Sequence, residues 1–212
     1  MTQHPDTAIE RCPWPGIEDP LYARYHDEEW GVPKTGDQEL FEKIALEGFQ
    51  AGLSWLTILR KREAFRAAFC DFEPAAIARF TDSDVVRLMS DPGIVRNRAK
   101  IVATIDNARA FLTLAGRGGL ARLVWGLLPD GPIVNRYRTL AEVPAETELS
   151  RRVSKALKAA GFRFVGPTTV QAFLQASGMS NDHLLGCPRH AACTRLQRAA
   201  RVPRADPASR AR

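Results

Sequence analysis

The sequence predicts an all-α protein built from many short helices. Segments whose apolar residues recur about one helical turn apart follow each other along the chain, and strand-like alternation is scarce. Proline and glycine separate these segments, for example at Pro92-Gly93 and at Gly166-Pro167. We find no internal repeat. At 212 residues the chain is long enough to bury a core without disulfide bonds.

Capping residues predict where several helices begin. Asp37 is placed to cap the helix in "DQELFEKIALEGFQ", and Ser54 is placed to cap the next helix, "WLTILRKREAFRAAF". Thr81 and Asp84 have the spacing of a capping box. A later segment, "NRAKIVATIDNARAFLTLA", predicts one apolar stripe, formed by Ile101, Ile105, Ala108 and Leu112.

Glycines predict where helices end. Gly52 is expected to break the helix that carries Glu47, and Gly161 and Gly178 are natural helix stops. The segments between these signals are therefore joined by short turns.

The positive charge is concentrated at one end of the chain. The formal net charge is +6, and residues 194–212 carry six arginines and one aspartate, which leaves about +1 for the rest. Because this end is polar and rich in Pro and Ala, we predict a disordered basic tail at 194–212. We further predict a flexible N-terminus at 1–10 and one all-α domain at 11–193, with two lobes as an alternative.

Nothing in the sequence predicts insertion into a membrane or export. Apolar runs stay shorter than the ~18 to 20 residues that span a bilayer, and the N-terminus lacks the apolar core of a signal peptide. We therefore expect a cytoplasmic protein with no membrane partner. In such a compartment, cysteines favour metal binding or catalysis over disulfides.

A histidine and a cysteine four residues apart, His183 and Cys187, suggest a pair of metal ligands. Residues at this spacing share a helical face, but a tetrahedral zinc site needs four ligands. Cys12 and His26 could supply the other two. A site formed from both ends of the chain would have no open coordination position, and it would be structural.

The residues alone leave alternatives to this site. Both cysteines could be small buried residues, and both histidines could be hydrogen-bonded surface groups. The separation of 14 between Cys12 and His26 matches no standard zinc finger. His190 and Cys193 are also available as competing ligands.

Aromatic residues crowd around His26, and Glu47 comes eight residues before Trp55. A carboxylate among aromatic rings suits a flat, cationic, nitrogen-rich ligand, because the rings stack on it and the carboxylate accepts its N–H groups. The alternative is that the rings are ordinary core and that Glu47 is a solvated helix residue. The aromatic residues near His26 are Trp14, Tyr22, Tyr25 and Trp30.

The segment "RLMSDPGIVRNRAKI" predicts two helices joined by a tight turn at Gly93, which can adopt a positive φ without steric cost. A glycine turn that leads into a helix directs backbone N–H groups to one point, which suits a phosphate. Arg96, Arg98 and Lys100 follow directly. The pattern indicates a helix-hairpin-helix contact to a DNA backbone, although a Pro-Gly turn can also simply join two packed helices.

Six segments together resemble the bacterial 3-methyladenine DNA glycosylase I family. In chain order they are "RCPW", "DPLYARYHDEEWGVP", "LEGFQAGLSWLTILRKRE", "DPGIVRNRAKI", "SKALKAAGFRFVGPTTV" and "NDHLLGC". They span residues 11–187 in the family's order. The resemblance implies a helix-hairpin-helix glycosylase fold and an enzyme that flips out and hydrolytically excises 3-methyladenine from alkylated double-stranded DNA.

The resemblance also implies roles for individual residues. A structural zinc ion joins the two ends of the chain in this family, and the matching ligands are Cys12, His26, His183 and Cys187. The family's base pocket corresponds to Glu47, Tyr22, Tyr25 and Trp55, with Trp14 and Trp30 nearby. At the tip of "QAGLS", Gly52 and Leu53 are expected to fill the gap left by the flipped nucleotide, unless Leu53 is core.

Two residues depart from the family's pattern. Phe49 stands where glutamine is expected, and Gln171 stands where tyrosine is common, so the pocket should differ in detail. "VGPTTV" contains no aspartate that could act as general base. Since the usual Schiff-base lysine is missing too, we expect a monofunctional enzyme. We also expect a monomer that associates with the nucleoid when it acts. The rival functions are a bifunctional glycosylase–lyase for other damaged bases and a non-catalytic, zinc-stabilised DNA-binding module.

Overall fold

The computed structural model describes residues 10–128 and 130–203, and these are predominantly helical, as the sequence predicts. The α-helices are α1 (Pro20–Glu28), α2 (Asp37–Gln50), α3 (Trp55–Ala68), α4 (Pro74–Ile77), α5 (Asp82–Ser90), α6 (Arg98–Ala115), α7 (Gly119–Trp125), α8 (Glu148–Ala159), α9 (Pro167–Ala176) and α10 (Pro188–Ala199). Two short segments, β1 (Ile133–Val134) and β2 (Ser180–Asn181), pair in parallel.

Helix α2 lies at the centre of the molecule and packs against α3, α6, α7 and α9. Leu40, Ile44 and Phe49 are among its buried residues. The Phe49 ring lies 4.6 Å from the ring of Phe65, centroid to centroid. Phe49 is therefore a core residue, and its departure from the family's pattern affects packing behind α2 rather than the cavity described below.

The capping residues predicted at two helix starts are confirmed. The Ser54 side chain accepts a hydrogen bond from the N–H of Thr57 at 3.2 Å. Thr81 and Asp84 form the expected capping box at the start of α5. The predicted stop after α8 is also confirmed, since Gly161 follows the last turn with a φ of 94°.

Asp37 does not cap its own helix as predicted. The N-cap of α2 is Gly36, and Asp37 is the first helical residue. Its carboxylate instead accepts a hydrogen bond from the N–H of Ala121, at 2.6 Å, in the first turn of α7. A β-carbon at Gly119 would collide with this carboxylate. Asp37 thus joins the starts of two helices that are distant in sequence.

The predicted apolar stripe of α6 is correct for three of its four residues. Ile101, Ile105 and Ala108 are buried, whereas Leu112 is 43% exposed. An i+4 step from Ala108 rotates slightly further around the helix than a full turn. Leu112 therefore lies outside the buried face, near the free end of α6.

Lys100 has a different role from the predicted DNA contact. Its side chain is buried, and Nζ donates hydrogen bonds to the carbonyls of Phe49, at 2.8 Å, and Ala51, at 2.6 Å. These carbonyls lie at the C-terminal end of α2, where a cation is favourable. Burial lowers the pKa of Lys100. Lys100 therefore caps α2 and is not available to a phosphate.

The C-terminal region is more ordered than predicted. Helix α10 runs through the predicted boundary at residue 193, so the expected disorder is wrong for residues 194–199. Gln197 is buried, and its Nε2 donates to the carbonyl of Gly178 at 3.0 Å. Residues 1–9 of the predicted flexible N-terminus and residues 204–212 of the predicted tail lie outside the described residues.

None of the described helices combines the length and the apolar character that crossing a bilayer requires.

Replacing Lys100 with methionine is expected to destabilise the protein, because the carbonyls at the end of α2 lose their charged donor. Loss of hydrogen bonds to a charged group costs about 1.5–3 kcal/mol. Arg98→Met is the control, since Arg98 is exposed in the same turn of α6. The control should change stability by less than about 0.5 kcal/mol. Urea denaturation measures both, and equal stability of the two variants would contradict the capping role.

Candidate base pocket and metal cluster

A cavity of about 290 Å³ lies between α1, α2, α3 and α9. Five aromatic rings and two carboxylates are among the groups that line it. The structure brings together here all five aromatic residues that the sequence predicts for a base pocket, as well as Glu47. The lining residues include Trp14, Tyr22, Tyr25, Trp30, Glu47, Trp55, Gln175 and Asp182.

The aromatic wall is continuous from the N-terminal segment to the start of α3. Tyr22 and Tyr25 lie one turn apart on α1, so both face the cavity. Their ring centroids are 6.4 Å apart, and the Tyr25 ring is 5.4 Å from Trp55. On the other side, Trp14 lies 5.2 Å from the Tyr22 ring and 4.7 Å from the Trp30 ring. The cavity thus offers several ring faces and edges to a planar ligand.

Glu47 is a buried carboxylate whose oxygens are left open. Its side chain is 4% exposed, and no described residue donates a hydrogen bond to it. Burial raises the pKa of Glu47 to about 7, and the charge of Lys43 opposes this rise. A buried carboxylate is costly unless it meets a donor or a cation. The group is therefore poised to accept hydrogen bonds from a ligand in the cavity.

The two tyrosines are expected to keep their protons at neutral pH. Burial, with a smaller effect from the charge of Glu47, raises the pKa of Tyr22 to about 12. The same two causes, in the same order, raise the pKa of Tyr25 well above its usual value. Both hydroxyls therefore remain neutral and able to donate hydrogen bonds at the pH values at which Glu47 titrates.

Lys43 is a second charged residue near the cavity, and the sequence analysis missed it. Its Nζ lies 5.1 Å from the ring centroid of Tyr25 and 5.2 Å from that of Trp55. Burial lowers the pKa of Lys43, and the charge of Glu47 opposes this. The spacing of four residues in "EKIALE" could have indicated that Lys43 and Glu47 share a face of α2.

Asp182 is the second carboxylate in the cavity wall, and it too was missed. Its Oδ1 accepts hydrogen bonds from Ser180 at 2.6 Å and from Asn135 at 2.7 Å. Its Oδ2 accepts from Gln175 at 2.7 Å and from Gln171 at 3.3 Å. Gln171, which departs from the family's pattern, thus helps to orient a carboxylate. Asp182 lies in "NDH", outside the segment "VGPTTV" in which the sequence analysis looked for an aspartate.

The four predicted metal ligands meet in a buried cluster. The ligand atoms of Cys12, His26, His183 and Cys187 all lie within 4.8 Å of one another. Cys187 Sγ is 3.7 Å from His26 Nε2 and 3.7 Å from His183 Nδ1. In a tetrahedron with metal–sulfur bonds of ~2.3 Å and metal–nitrogen bonds of ~2.0–2.1 Å, such edges measure about 3.5 Å. The donor set and its spacing therefore fit a four-coordinate metal ion.

Neighbouring groups orient both histidines for this role. The Nδ1–H of His26 donates to Asp27 at 2.8 Å, and the Nε2–H of His183 donates to the Trp30 carbonyl at 3.1 Å. The remaining ring nitrogen of each histidine then faces the cluster as an acceptor, as in protein metal sites. Asp27 is held in turn by Arg11, at 2.7 Å.

The other two candidate ligands lie elsewhere. Nε2 of His190 is 2.8 Å from the carbonyl of Asn135. Cys193 is buried, and its Sγ is 3.7 Å from the carbonyl of Trp30. The competition that the sequence left open is therefore resolved in favour of Cys12, His26, His183 and Cys187.

The pKa values of the two cluster cysteines are shifted in opposite directions. A hydrogen bond with Cys12, and further ones with His183 and His26, lower the pKa of Cys187. The hydrogen bond with Cys187, together with burial, raises the pKa of Cys12. Both would bind a metal ion as thiolates, because the thiolate is the coordinating form.

The cluster and the cavity share a wall. The Trp14 ring lies edge-on to His26, with 4.8 Å between centroids, and the Trp30 ring lies edge-on to His183, with 4.5 Å. Both tryptophans also line the cavity. The positions of two cavity rings therefore depend on the cluster.

A groove leads from the cavity to the surface beside the turn after α2. Gly52 has a φ of 85°, which favours glycine, and Leu53 is 39% exposed at the tip of this turn. Leu53 is therefore not a core residue. The groove shares Gln50, Leu140, Val143, Ala172 and Gln175 with the cavity, so the two are continuous.

The turn at Gly93 departs from the prediction in two details. The Gly93 N–H donates to the side chain of Asp91 at 2.7 Å, and φ of Gly93 is not positive. Glycine is required here for a different reason, since a β-carbon would lie 2.9 Å from Cβ of Ala64. Arg96 and Arg98 are exposed, as a contact with DNA would need.

A second helical hairpin lies closer to the cavity. Helices α8 and α9 pack against each other, and residues 160–166 join them. Thr168 and Thr169, in the first turn of α9, line the groove. Gly166 caps this helix without a side-chain hydrogen bond.

Two DNA-3-methyladenine glycosylases have sequences that are closely similar to this one. DNA-3-methyladenine glycosylase 1 of Escherichia coli (strain K12) is 50% identical over 180 residues, which are 84% of this chain and 96% of the relative. DNA-3-methyladenine glycosylase of Haemophilus influenzae (strain ATCC 51907 / DSM 11121 / KW20 / Rd) is 48% identical over 179 residues, again 84% and 96%.

Solved structures of 3-methyladenine DNA glycosylase I are similar to the structure of this chain. A crystal structure of 3-methyladenine DNA glycosylase I has a TM-score of 0.82 and 48% identity, covering 84% of this chain and 98% of that one. The Staphylococcus aureus enzyme, solved to explain 3-methyladenine recognition, has a TM-score of 0.81 and 40% identity, covering 85% and 96%. The model of the methyladenine glycosylase family matches residues 14–190. This chain therefore belongs to the methyladenine glycosylase family, as its sequence motifs predict.

Proposed function

We propose that this protein excises 3-methyladenine from alkylated DNA by hydrolysing the N-glycosidic bond. The observation that carries the proposal is the Glu47 carboxylate, which faces an aromatic cavity with its oxygens open. Membership of the methyladenine glycosylase family supports it, since the relatives carry this activity in their names. DNA is thus the substrate class, and we propose that it binds as a duplex to one monomer.

The lesion matches the cavity in shape and charge. Methylation at N3 makes adenine cationic, and the flat ring can stack on Tyr22, Tyr25 or Trp55. Its N6 amino group can donate to Glu47. Guanine carries an oxygen at the equivalent position, which would face the carboxylate unfavourably. 7-Methylguanine should therefore be a poor substrate although it is also cationic.

The chemistry asks little acid catalysis of the protein. A base that already carries positive charge leaves as a neutral molecule, which weakens its bond to the sugar. The protein must take the nucleotide out of the stack, bind the base and admit water. Glu47 and Asp182 both line the cavity and favour positive charge on the base and on the sugar as the bond breaks.

Lysine chemistry at the sugar is not supported by the geometry. Lys43 is buried against the rings of Tyr25 and Trp55, and these rings, rather than its ammonium, line the cavity. A Schiff base would require Nζ to reach the sugar carbon. We therefore propose a monofunctional enzyme.

DNA contacts follow from the surface around the groove. Leu53 at the exposed turn is placed to enter the stack where the nucleotide leaves it, and Gly52 lets this turn approach closely. The first turn of α9 at Thr168 and Thr169 faces the same groove. Arg96 and Arg98 are proposed phosphate contacts at the edge of the bound duplex.

The metal is proposed to be zinc with a structural role. Two thiolates and two imidazoles are a zinc donor set, and four protein ligands leave no position for substrate. When bound, the ion would fasten Cys12 to His183 and Cys187. It would therefore hold the cavity wall in place without taking part in bond cleavage.

Glu47→Gln should excise 3-methyladenine about 10- to 150-fold more slowly than wild type, because it loses a charged hydrogen bond worth roughly 1.5–3 kcal/mol. Glu47 acts as an anion, so the wild-type rate should rise as pH increases through about 7. The variant should lack this rise. Glu39→Gln, at an exposed position on α2, is the control. Single-turnover release of 3-methyladenine and 7-methylguanine measures all three proteins. If Glu47→Gln excises 3-methyladenine at the wild-type rate, the base does not bind at Glu47.

Purified protein should contain about one zinc ion per chain, as a single closed site requires. Cys187→Ser should lose the metal and melt at a clearly lower temperature, because the two ends of the chain are no longer joined. Cys70→Ser is the matched control, since Cys70 is exposed and distant from the cluster. Metal analysis and thermal melting test this. A metal-free protein as stable as wild type would rule out the structural role.

Deleting residues 204–212, which carry three arginines and one aspartate, should flatten the salt dependence of DNA binding. The cut leaves α10 intact. The single-turnover rate at saturating enzyme should change less than about twofold, because the cut removes none of the described residues that line the cavity and the groove. Titrations at several salt concentrations measure the slope. A large loss of rate would show that this segment takes part in excision.

A further inference from the structure

Lys43 is the buried charge of the site that base binding leaves unexplained. It lies on α2 one turn before Glu47, and its side chain is 5% exposed. Its ammonium lies against two rings of the cavity wall, Tyr25 and Trp55, at 5.1 and 5.2 Å from their centroids. A buried ammonium is costly, so its place behind the pocket requires an explanation.

The charges around Lys43 point to Glu47 as its electrostatic partner. Glu29 is already paired, since Arg62 donates two hydrogen bonds to it at 2.6 and 3.0 Å. Glu47 receives no hydrogen bond from any described residue. Further charged or titratable groups surround the pair. They are Tyr22, Tyr25 and Glu29 of the α1 region, Lys34 of the following loop, Arg62 of α3, and Asp182, which also lines the cavity.

Lys43 and Glu47 share a face of α2, and no ion pair is found between them among the described residues. A direct ion pair would occupy a carboxylate oxygen that the base needs. Without that contact, the positive charge of Lys43 still stabilises the anion through a medium of low dielectric. Both oxygens remain open towards the cavity.

We propose that Lys43 is a positioning residue of the excision reaction, which favours the ionised form of Glu47 before the base enters and holds the rings of Tyr25 and Trp55 in place. The inference rests on the proposed function, in which Glu47 must be an anion to favour a cationic base. Without a nearby cation, a carboxylate buried among rings takes up a proton. A protonated Glu47 would present a donor to the N6 amino group of the lesion.

Lys43→Met tests the inference, because methionine has a similar shape and no charge. An opposite charge nearby shifts a carboxyl pKa by about one unit or more. The rise of single-turnover excision with pH should therefore move up by about one pH unit. At pH 6.5 the variant should be about tenfold slower than wild type, and at pH 9 the two rates should agree within about twofold.

Two further variants separate charge from packing. Lys43→Arg keeps the cation and should restore the wild-type pH profile. Lys155→Met removes an exposed charge on α8 and should leave the profile unchanged. If Lys43→Met instead lowers the rate by the same factor at every pH, the residue acts only through packing, and the inference is overturned.

A direct titration of Glu47 makes the result independent of activity. Carbon-13 NMR of the Glu47 carboxyl, without DNA, should show a higher pKa in Lys43→Met than in wild type. An unchanged Glu47 titration would overturn the inference while excision by wild type still upheld the proposed function. Conversely, a shifted titration in a protein that releases no 3-methyladenine would uphold the role of Lys43 and reject the function.

Discussion

The joining of the two ends of the chain at the Cys/His cluster is the constraint on which the site depends. Cys12 comes before α1, and His183 and Cys187 come after β2, yet their ligand atoms meet at a common point. His26 ties this point to α1, which also carries Tyr22 and Tyr25. Since Trp14 and Trp30 pack against the cluster histidines, the rings of the cavity inherit their positions from it.

The two carboxylates that line the cavity differ in the number of hydrogen bonds that they accept from the protein. Asp182 accepts four hydrogen bonds from neutral side chains, which fix its orientation before any ligand arrives. Glu47 accepts none from the described residues, and the charge of Lys43 acts on it without a direct ion pair. A saturated carboxylate supplies a fixed field, whereas an open one supplies hydrogen bonds that form with the ligand. The wall therefore combines a permanent electrostatic environment with a specific recognition group.

The sequence predicted the parts of this site that are encoded locally or by family motifs. Ser54 and Thr81 cap their helices because capping involves residues three apart, and the aromatic residues and metal ligands occur in recognisable segments. Asp37 and Lys100 were predicted wrongly, because their partners are backbone groups of other helices. Asp182 and Lys43 were missed because their neighbours come from distant segments. Asp182 accepts hydrogen bonds from side chains that include Asn135, 47 residues away, and Lys43 lies against the rings of Tyr25 and Trp55. The spacing of Lys43 and Glu47 indicates their shared helix face, but it does not report the rings behind it.

The span of the cluster also bears on how the protein is made. The sulfur of Cys12 contacts a ring nitrogen 171 positions later in the chain. During translation, the N-terminal half of the site leaves the ribosome long before His183 and Cys187 are synthesised. The rings from that half cannot reach their final arrangement until His183 and Cys187 have emerged. A nascent chain that stops before Cys187 therefore has no finished pocket, and the capacity to bind damaged DNA arises only after this residue has been added.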